Sequence, residues 1–350
     1  MSYGKLKRRV FIQYIAGAIA GGSFVYLVNE IFSRRSLPRP PEETVLQDAD
    51  SVQGALQRGG RWLSGHQSAD GAIIDDGFPS VWDTVCATIA LTTSPLASEY
   101  IDTSERAFDF LSRAQRPDGA IYDDISMSPN EKDLEASSLY LYLLNRNGKD
   151  DKRLRIFILE SQESDGSFYI HSPKIPEALR RFPSVTGYAL VGLNSEIPRN
   201  NDRVQRAFDY LRQSQNEMGD WGANMYYYGT RYYAIWIISR ALMLYNRTSS
   251  DIAQRLIDYL ETNQLPDGNF IDDSDFGLIT NELRTIFALH SLLNLGEENN
   301  AGIRRGVDWL LERQLPSGNW SGGNYPGRAD VLATSIALWM LSEYLQNISR

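Results

Sequence analysis

A single cysteine, Cys86, among 350 residues excludes an intrachain disulfide framework. Histidine is almost as scarce. His66, His171 and His290 are the whole supply, and zinc needs three or four converging ligands, so no metal and no cofactor is expected. Positive charge is short everywhere except at the start. Residues 1–43 hold seven Lys/Arg against three Glu, and the remainder carries −13 where the whole chain carries −9. Nucleic acid requires a basic face, so no nucleic-acid partner is expected. Long apolar runs are missing with one exception, residues 10–28.

That run follows Lys5, Lys7, Arg8 and Arg9, and Gln13 barely interrupts it. At about 1.5 Å per residue, nineteen residues span roughly 28 Å, close to a bilayer core of about 30 Å. Lys7-Arg8-Arg9-Val10-Phe11-Ile12 resembles a twin-arginine export signal, and Gly17, Gly21 and Gly22 keep the run only modestly apolar. The expectation is a signal or membrane anchor over 1–32, with the lipid bilayer as a partner and the folded part on the exported side. A stiff linker with Pro38, Pro40 and Pro41 covers 33–49.

What the rest has in abundance is repetition. Trp309-Leu310…Gln314…Gly318…Trp320 spells a phrase: aromatic-aliphatic pair, Gln, Gly, bulky apolar residue. It recurs with its Gln at Gln67, Gln115, Gln162, Gln215 and Gln264, spaced 47 to 53 residues apart. A period of that length marks a helical repeat array. The phrase ends an amphipathic helix, because Ile303, Val307, Leu310 and Leu311 share one stripe. Between phrases lie segments apolar on every side, at 84–91, 134–144, 185–193, 232–244, 278–293 and 331–345. A helix apolar all round must be buried all round, so the buried set belongs inside a double ring. The first and last repeats carry the phrase as fully as the middle ones, which favours closure over an open spiral with polar end caps. The expected fold over 50–350 is all-α, an (α/α)6 toroid of six helical hairpins. Six helices about 9–10 Å apart leave a bore roughly 8–10 Å across, for side chains or a slim ligand. Tyr226, Tyr227, Tyr228, Tyr232, Tyr233 and Trp236 crowd the start of the fourth inner helix. They serve as core packing, or as ring faces for a sugar or a carbocation.

Arg305-Gly306…Trp309-Leu310…Gln314…Gly318…Trp320 is similar throughout to the QW motif of squalene–hopene and oxidosqualene cyclases. Arg58-Gly59…Trp62-Leu63…Gln67…Gly71 matches it up to the final Trp, where Ile73 stands. The resemblance spans roughly residues 50–346 and implies the toroid shared by triterpene cyclases and protein prenyltransferase β subunits. In those cyclases a D-x-D-D-T-A box starts an inner helix, and its third position protonates an alkene. Here Asp83-Thr84 matches the end of the box, while Trp82 occupies the proton-donor position. The thioester proteins that share the toroid carry Cys-Gly-Glu-Gln, which is absent.

The resemblance makes Asp83 the candidate acid. Asp330 and Glu282 support it, judged by counting back from the Ala-Leu pairs Ala90-Leu91 and Ala337-Leu338. Trp82, Tyr228, Tyr232 and Trp236 are candidate substrate-binding residues, and Arg231 and Arg284 candidate diphosphate partners. The same acids can simply cap helices. Asp75-Asp76, Asp123-Asp124 and Asp272-Asp273 recur in the turns, either as caps or as paired carboxylates for glycoside chemistry. Two functions stay open: a membrane-associated toroid that binds or transforms an isoprenoid in its bore, or an exported non-catalytic or glycan-directed toroid.

Overall fold

The computed structural model describes residues 52–348, apart from 76–77, 94, 96, 122–132, 171–175, 225, 273–276, 298–299 and 324–328. The expected anchor and linker lie outside the described residues. Among the described residues, no helix is long and apolar enough to cross a membrane.

Twelve α-helices alternate along these residues: α1 (Val52–Gly65), α2 (Val81–Thr93), α3 (Ile101–Ala114), α4 (Leu134–Arg146), α5 (Lys152–Glu160), α6 (Pro183–Leu193), α7 (Asp202–Ser214), α8 (Arg231–Leu244), α9 (Asp251–Asn263), α10 (Asn281–Asn294), α11 (Ala301–Leu311) and α12 (Asp330–Ile348). A two-stranded hairpin, β1 (Ile74–Asp75) and β2 (Phe78–Pro79), precedes α2. The odd-numbered helices each bury one stripe; α3, for instance, buries Thr103, Ala107, Phe110 and Leu111. The even-numbered ones are buried almost throughout, as in α6, whose eleven residues are all buried. Each even helix packs on the next, and α12 packs on α2, so the inner ring closes.

The repeated Gln is the clamp between neighbouring hairpins. Gln67 Nε2 donates to the Gly71 carbonyl at 3.0 Å and to the Thr103 carbonyl of the next outer helix at 2.8 Å. Gln162, Gln215 and Gln264 make the same double bond to Gly166 and Arg203, Gly219 and Ile252, and Gly268 and Gly302. Gln115 reaches Gly119 and the Asp151 carboxylate that caps α5. Gln314 bonds Gly318 at 2.8 Å and Ala55, 259 positions earlier, at 2.9 Å, which seals the ring. The phrase needs glycine for a steric reason. Gly318 has φ +99°, and a Cβ there would stand 2.5 Å from the Arg58 carbonyl oxygen.

The bulky residue closing the phrase locks onto the inner helix. Its backbone N–H donates to a hydroxyl one turn in: Ile73 to Thr84, Ile121 to Ser137, Phe168 to Thr186, Phe270 to Thr285 and Trp320 to Thr334, at 3.0–3.1 Å. These five bonds fix the register between repeats.

Candidate functional site

Alternation brings the N-terminal ends of all six inner helices to one face of the ring. Below that face an aromatic wall lines the bore. Trp82 meets Tyr188 edge-on, with ring centroids 5.5 Å apart, and Tyr188 meets Trp236 at 6.2 Å. Tyr233 lies 5.7 Å from Tyr188 and 5.9 Å from Phe287, and Tyr228 lies 4.9 Å from Tyr233 toward the mouth. Tyr228 takes a φ of +61°, unusual for a residue with a side chain.

Glu135, in the first turn of α4, joins this wall from between α2 and α6. Its Oε1 accepts from the Ser184 hydroxyl at 2.9 Å and its Oε2 from the Tyr233 hydroxyl at 3.2 Å. Burial first, and then the charge of Glu135, hold the Tyr188 and Tyr233 phenols well above their ordinary range. Both phenols therefore stay protonated and can act as donors. The arrangement sets one carboxyl against a cluster of aromatic rings with two hydroxyl donors that can hold its negative charge.

The C-terminal half of the bore is closed by a polar network. Arg240 bridges Glu343 through both terminal nitrogens at 2.7 Å and also bonds Asn294 and the Tyr142 hydroxyl. Trp236 Nε1–H donates to His290 Nδ1 at 3.0 Å, and His290 Nε2 faces Glu343 at 3.0 Å. With Nδ1 accepting, His290 is the neutral tautomer that carries its proton on Nε2. Burial keeps its pKa below the usual value. Burial also acts on Glu343, but adjacent Arg240 and His290 hold that carboxyl well below its ordinary range. Trp339 roofs Arg240 at 4.7 Å. Side chains thus fill the lower bore.

The structure brings Trp82, Tyr228 and Trp236 together at this wall and takes other candidates elsewhere. Tyr232 points between the fourth and fifth repeats, where its hydroxyl donates to the Ile271 carbonyl at 3.1 Å and its ring meets Phe270. Arg231 is paired with Asp220 at 2.8 Å and with Asp272 at 3.5 Å. Arg284 is buried against Asn281 and the Ile279 carbonyl. Glu282 sits at the rim, 3.8 Å from Arg313. Asp83 lies half-buried in the first turn of α2, its N–H bonded to the Ser80 hydroxyl.

Asp330 is one helical turn away from the place expected for it. Aligning Thr84 with Thr334 by their hydroxyl bonds puts Ala333, not Asp330, opposite Asp83. Asp330 instead accepts from the Gly322 N–H and the Asn319 amide. The turn acids have a structural use as well. Asp75 accepts from the Val331 N–H at 3.3 Å and Asp272 from the Arg231 N–H at 2.9 Å, so each caps the inner helix of the preceding repeat. Asp123 lies outside the described residues.

The same hydroxyl register exposes what the Ala-Leu count concealed. Counting back from Ser137 gives Asp133-Leu134-Glu135-Ala136-Ser137, which places Glu135 at the third position of the cyclase box. The signal was present in the sequence, but a gap of 16 residues from Ile121 to Ser137, against 11 from Ile73 to Thr84, hid it.

Comparison with known proteins agrees with this architecture. The chain belongs to the prenyltransferase α-α toroid domain family, whose model matches residues 44–224 and 203–349. It is 25% identical over 297 residues to squalene–hopene cyclase of Zymomonas mobilis, covering 77% of this chain and 39% of that enzyme's length. A solved type II terpene cyclase, MstE from Scytonema, in complex with its substrate geranylgeranyl dihydroxybenzoate, superposes with a TM-score of 0.67 at 16% identity. That match covers 85% of this chain and 99% of the other. A possible GH105 family member from Klebsiella pneumoniae superposes at 0.59 and 13% identity, over 90% and 97% of the two chains. At such identities the likeness is one of fold.

Proposed function

We propose that the protein binds an isoprenoid chain at the aromatic wall of its bore and that Glu135 is the acid of the site. The observation that carries this reading is the pairing of that carboxylate with Trp82, Tyr188, Tyr233 and Trp236 in one ring centre. The squalene–hopene cyclase relative and the geranylgeranyl complex of MstE support the ligand class. In the catalytic form of the proposal, the Glu135 O–H proton passes to an alkene carbon. The O–H electron pair stays on the carboxylate, where the Ser184 and Tyr233 hydroxyls stabilise it. The ring faces of the aromatic residues stabilise the resulting carbocation, each by about 0.5–2 kcal/mol. We further propose that residues 10–28 hold the toroid at the bilayer in which such a ligand dissolves, with the toroid on the exported side.

Organic extraction of the purified protein followed by mass spectrometry tests the binding. Turnover of squalene and of geranylgeranyl-bearing aromatics, compared between wild type and Glu135→Gln, tests the acid. A co-purified isoprenoid and a loss of turnover of about 100-fold or more in the variant are expected. Absence of bound lipid together with no turnover retires the reading, and equal turnover in the variant retires the role of Glu135.

A further inference from the structure

A cleft of about 620 Å³ opens at the ring-closing seam, between the end of α1 with its turn and the 315–319 loop with the start of α12. That volume falls in the range of small-ligand sites, roughly 300–1,000 Å³. The aromatic wall of the bore contributes nothing to its lining.

The repeated phrase shows that the floor of this cleft is unlike its counterparts. The first aromatic of the phrase is buried at 7% exposure or less in Phe110, Phe157, Tyr259 and Trp309, and half-buried in Tyr210, whose hydroxyl donates to the Arg181 carbonyl. Trp62 holds the same position in the first repeat and is left half-open, lining the cleft. The residue before the phrase's Gln is Ala114, Ser161, Ser214, Asn263 or Arg313 in the other repeats. Here it is His66, whose ring lies 3.9 Å from the Trp62 ring at a tilt of 32°. In neutral His66, Nδ1–H donates to the Trp62 carbonyl at 2.7 Å, which leaves Nε2 as an acceptor. The two rings form a platform.

Polar groups converge on it from the other walls: Asp75, Asp330, Asn319 and Ser317, with Leu315 adding apolar surface. Among the described residues the lining includes two carboxylates and no Lys or Arg, a charge balance that disfavours phosphates and other anions. A flat aromatic floor beside planar carboxylate and amide groups suits a ligand with an apolar C–H face and hydroxyls around its edge. We infer that the cleft binds a neutral saccharide, a mono- or disaccharide, at a site separate from the bore. This inference does not depend on the isoprenoid reading.

The test uses the full chain in a sugar-free detergent. Saturation-transfer NMR and tryptophan fluorescence are recorded with maltose, cellobiose, lactose and N,N′-diacetylchitobiose. Binding of at least one of them is expected at a Kd of roughly 0.1–10 mM, weakened about ten-fold or more in Trp62→Ala and several-fold in His66→Ala. His66 is exposed, so its variant keeps the test open if Trp62→Ala folds poorly. Glu135→Gln is expected to leave saccharide binding unchanged, which separates this site from the isoprenoid site. No saturation transfer to any of the four at about 50 mM overturns the inference, as does binding that both cleft variants leave intact.

Discussion

Removing the Gln314 side chain, as Gln314→Ala, asks directly whether the ring is sealed. Its amide donates to the Gly318 carbonyl at 2.8 Å and to the Ala55 carbonyl at 2.9 Å. Its Oε1 accepts from Arg58 at 3.0 Å and 2.6 Å. A neutral hydrogen bond contributes about 0.5–1.5 kcal/mol net and one to a charged group about 1.5–3 kcal/mol, reduced where water can replace it. The sum for this half-buried clamp is about 3 kcal/mol. For a chain of this size that lowers Tm by roughly 6 °C. An unsealed array would lose only the bond inside the sixth repeat, about 1 kcal/mol and roughly 2 °C. Gln115→Ala is the mid-ring control, because Gln115 bonds Gly119 at 2.9 Å and Asp151 at 2.7 Å. Calorimetry and urea unfolding, followed by tryptophan fluorescence, should give one transition for both variants and the larger loss for Gln314→Ala. A cost near 1 kcal/mol for Gln314→Ala beside a larger one for Gln115→Ala would refute closure, as would two separated transitions.

Gly318→Ala drives a Cβ into the Arg58 carbonyl at 2.5 Å from a φ of +99°; urea midpoints should show a loss of about 3 kcal/mol or more. Glu343→Gln leaves the buried Arg240 guanidinium without its counter-charge, and the same assay should read about 3–5 kcal/mol. Acid should weaken the fold in two stages. His290 is kept neutral in the fold, so the unfolded chain takes up a proton that the folded chain refuses once pH drops below about 6.5. Glu343 is kept ionised in the fold, so a second loss begins as pH falls through about 4.5. Urea midpoints measured from pH 8 to pH 4 should therefore fall monotonically, and His290→Gln should flatten the upper stage. A midpoint that rises below pH 6.5 would contradict the neutral assignment of His290.

The sequence alone determined the ring. A 47–53-residue phrase ending in Gln, Gly and a bulky residue can be read without coordinates because each part does a local job. The amphipathic stripe buries one face, the Gly takes a positive φ, and the bulky residue plugs the turn. Helices apolar on every side had to lie inside, and the even-numbered helices α2, α4, α6, α8, α10 and α12 do so. Tertiary structure alone decided which side chains meet across the bore. Tyr232 and Tyr233 are adjacent in the chain, yet one packs between repeats and the other reaches Glu135, 98 positions away. Neighbouring residues on a helix point about 100° apart, so a shift of one position exchanges wall for interface. Composition carries no trace of that rotation. It is set by the bonds that Thr84, Ser137, Thr186, Thr285 and Thr334 make to the plugs, and the variable loop lengths before them hid the register that brings the Glu135 carboxylate to the Tyr233 hydroxyl.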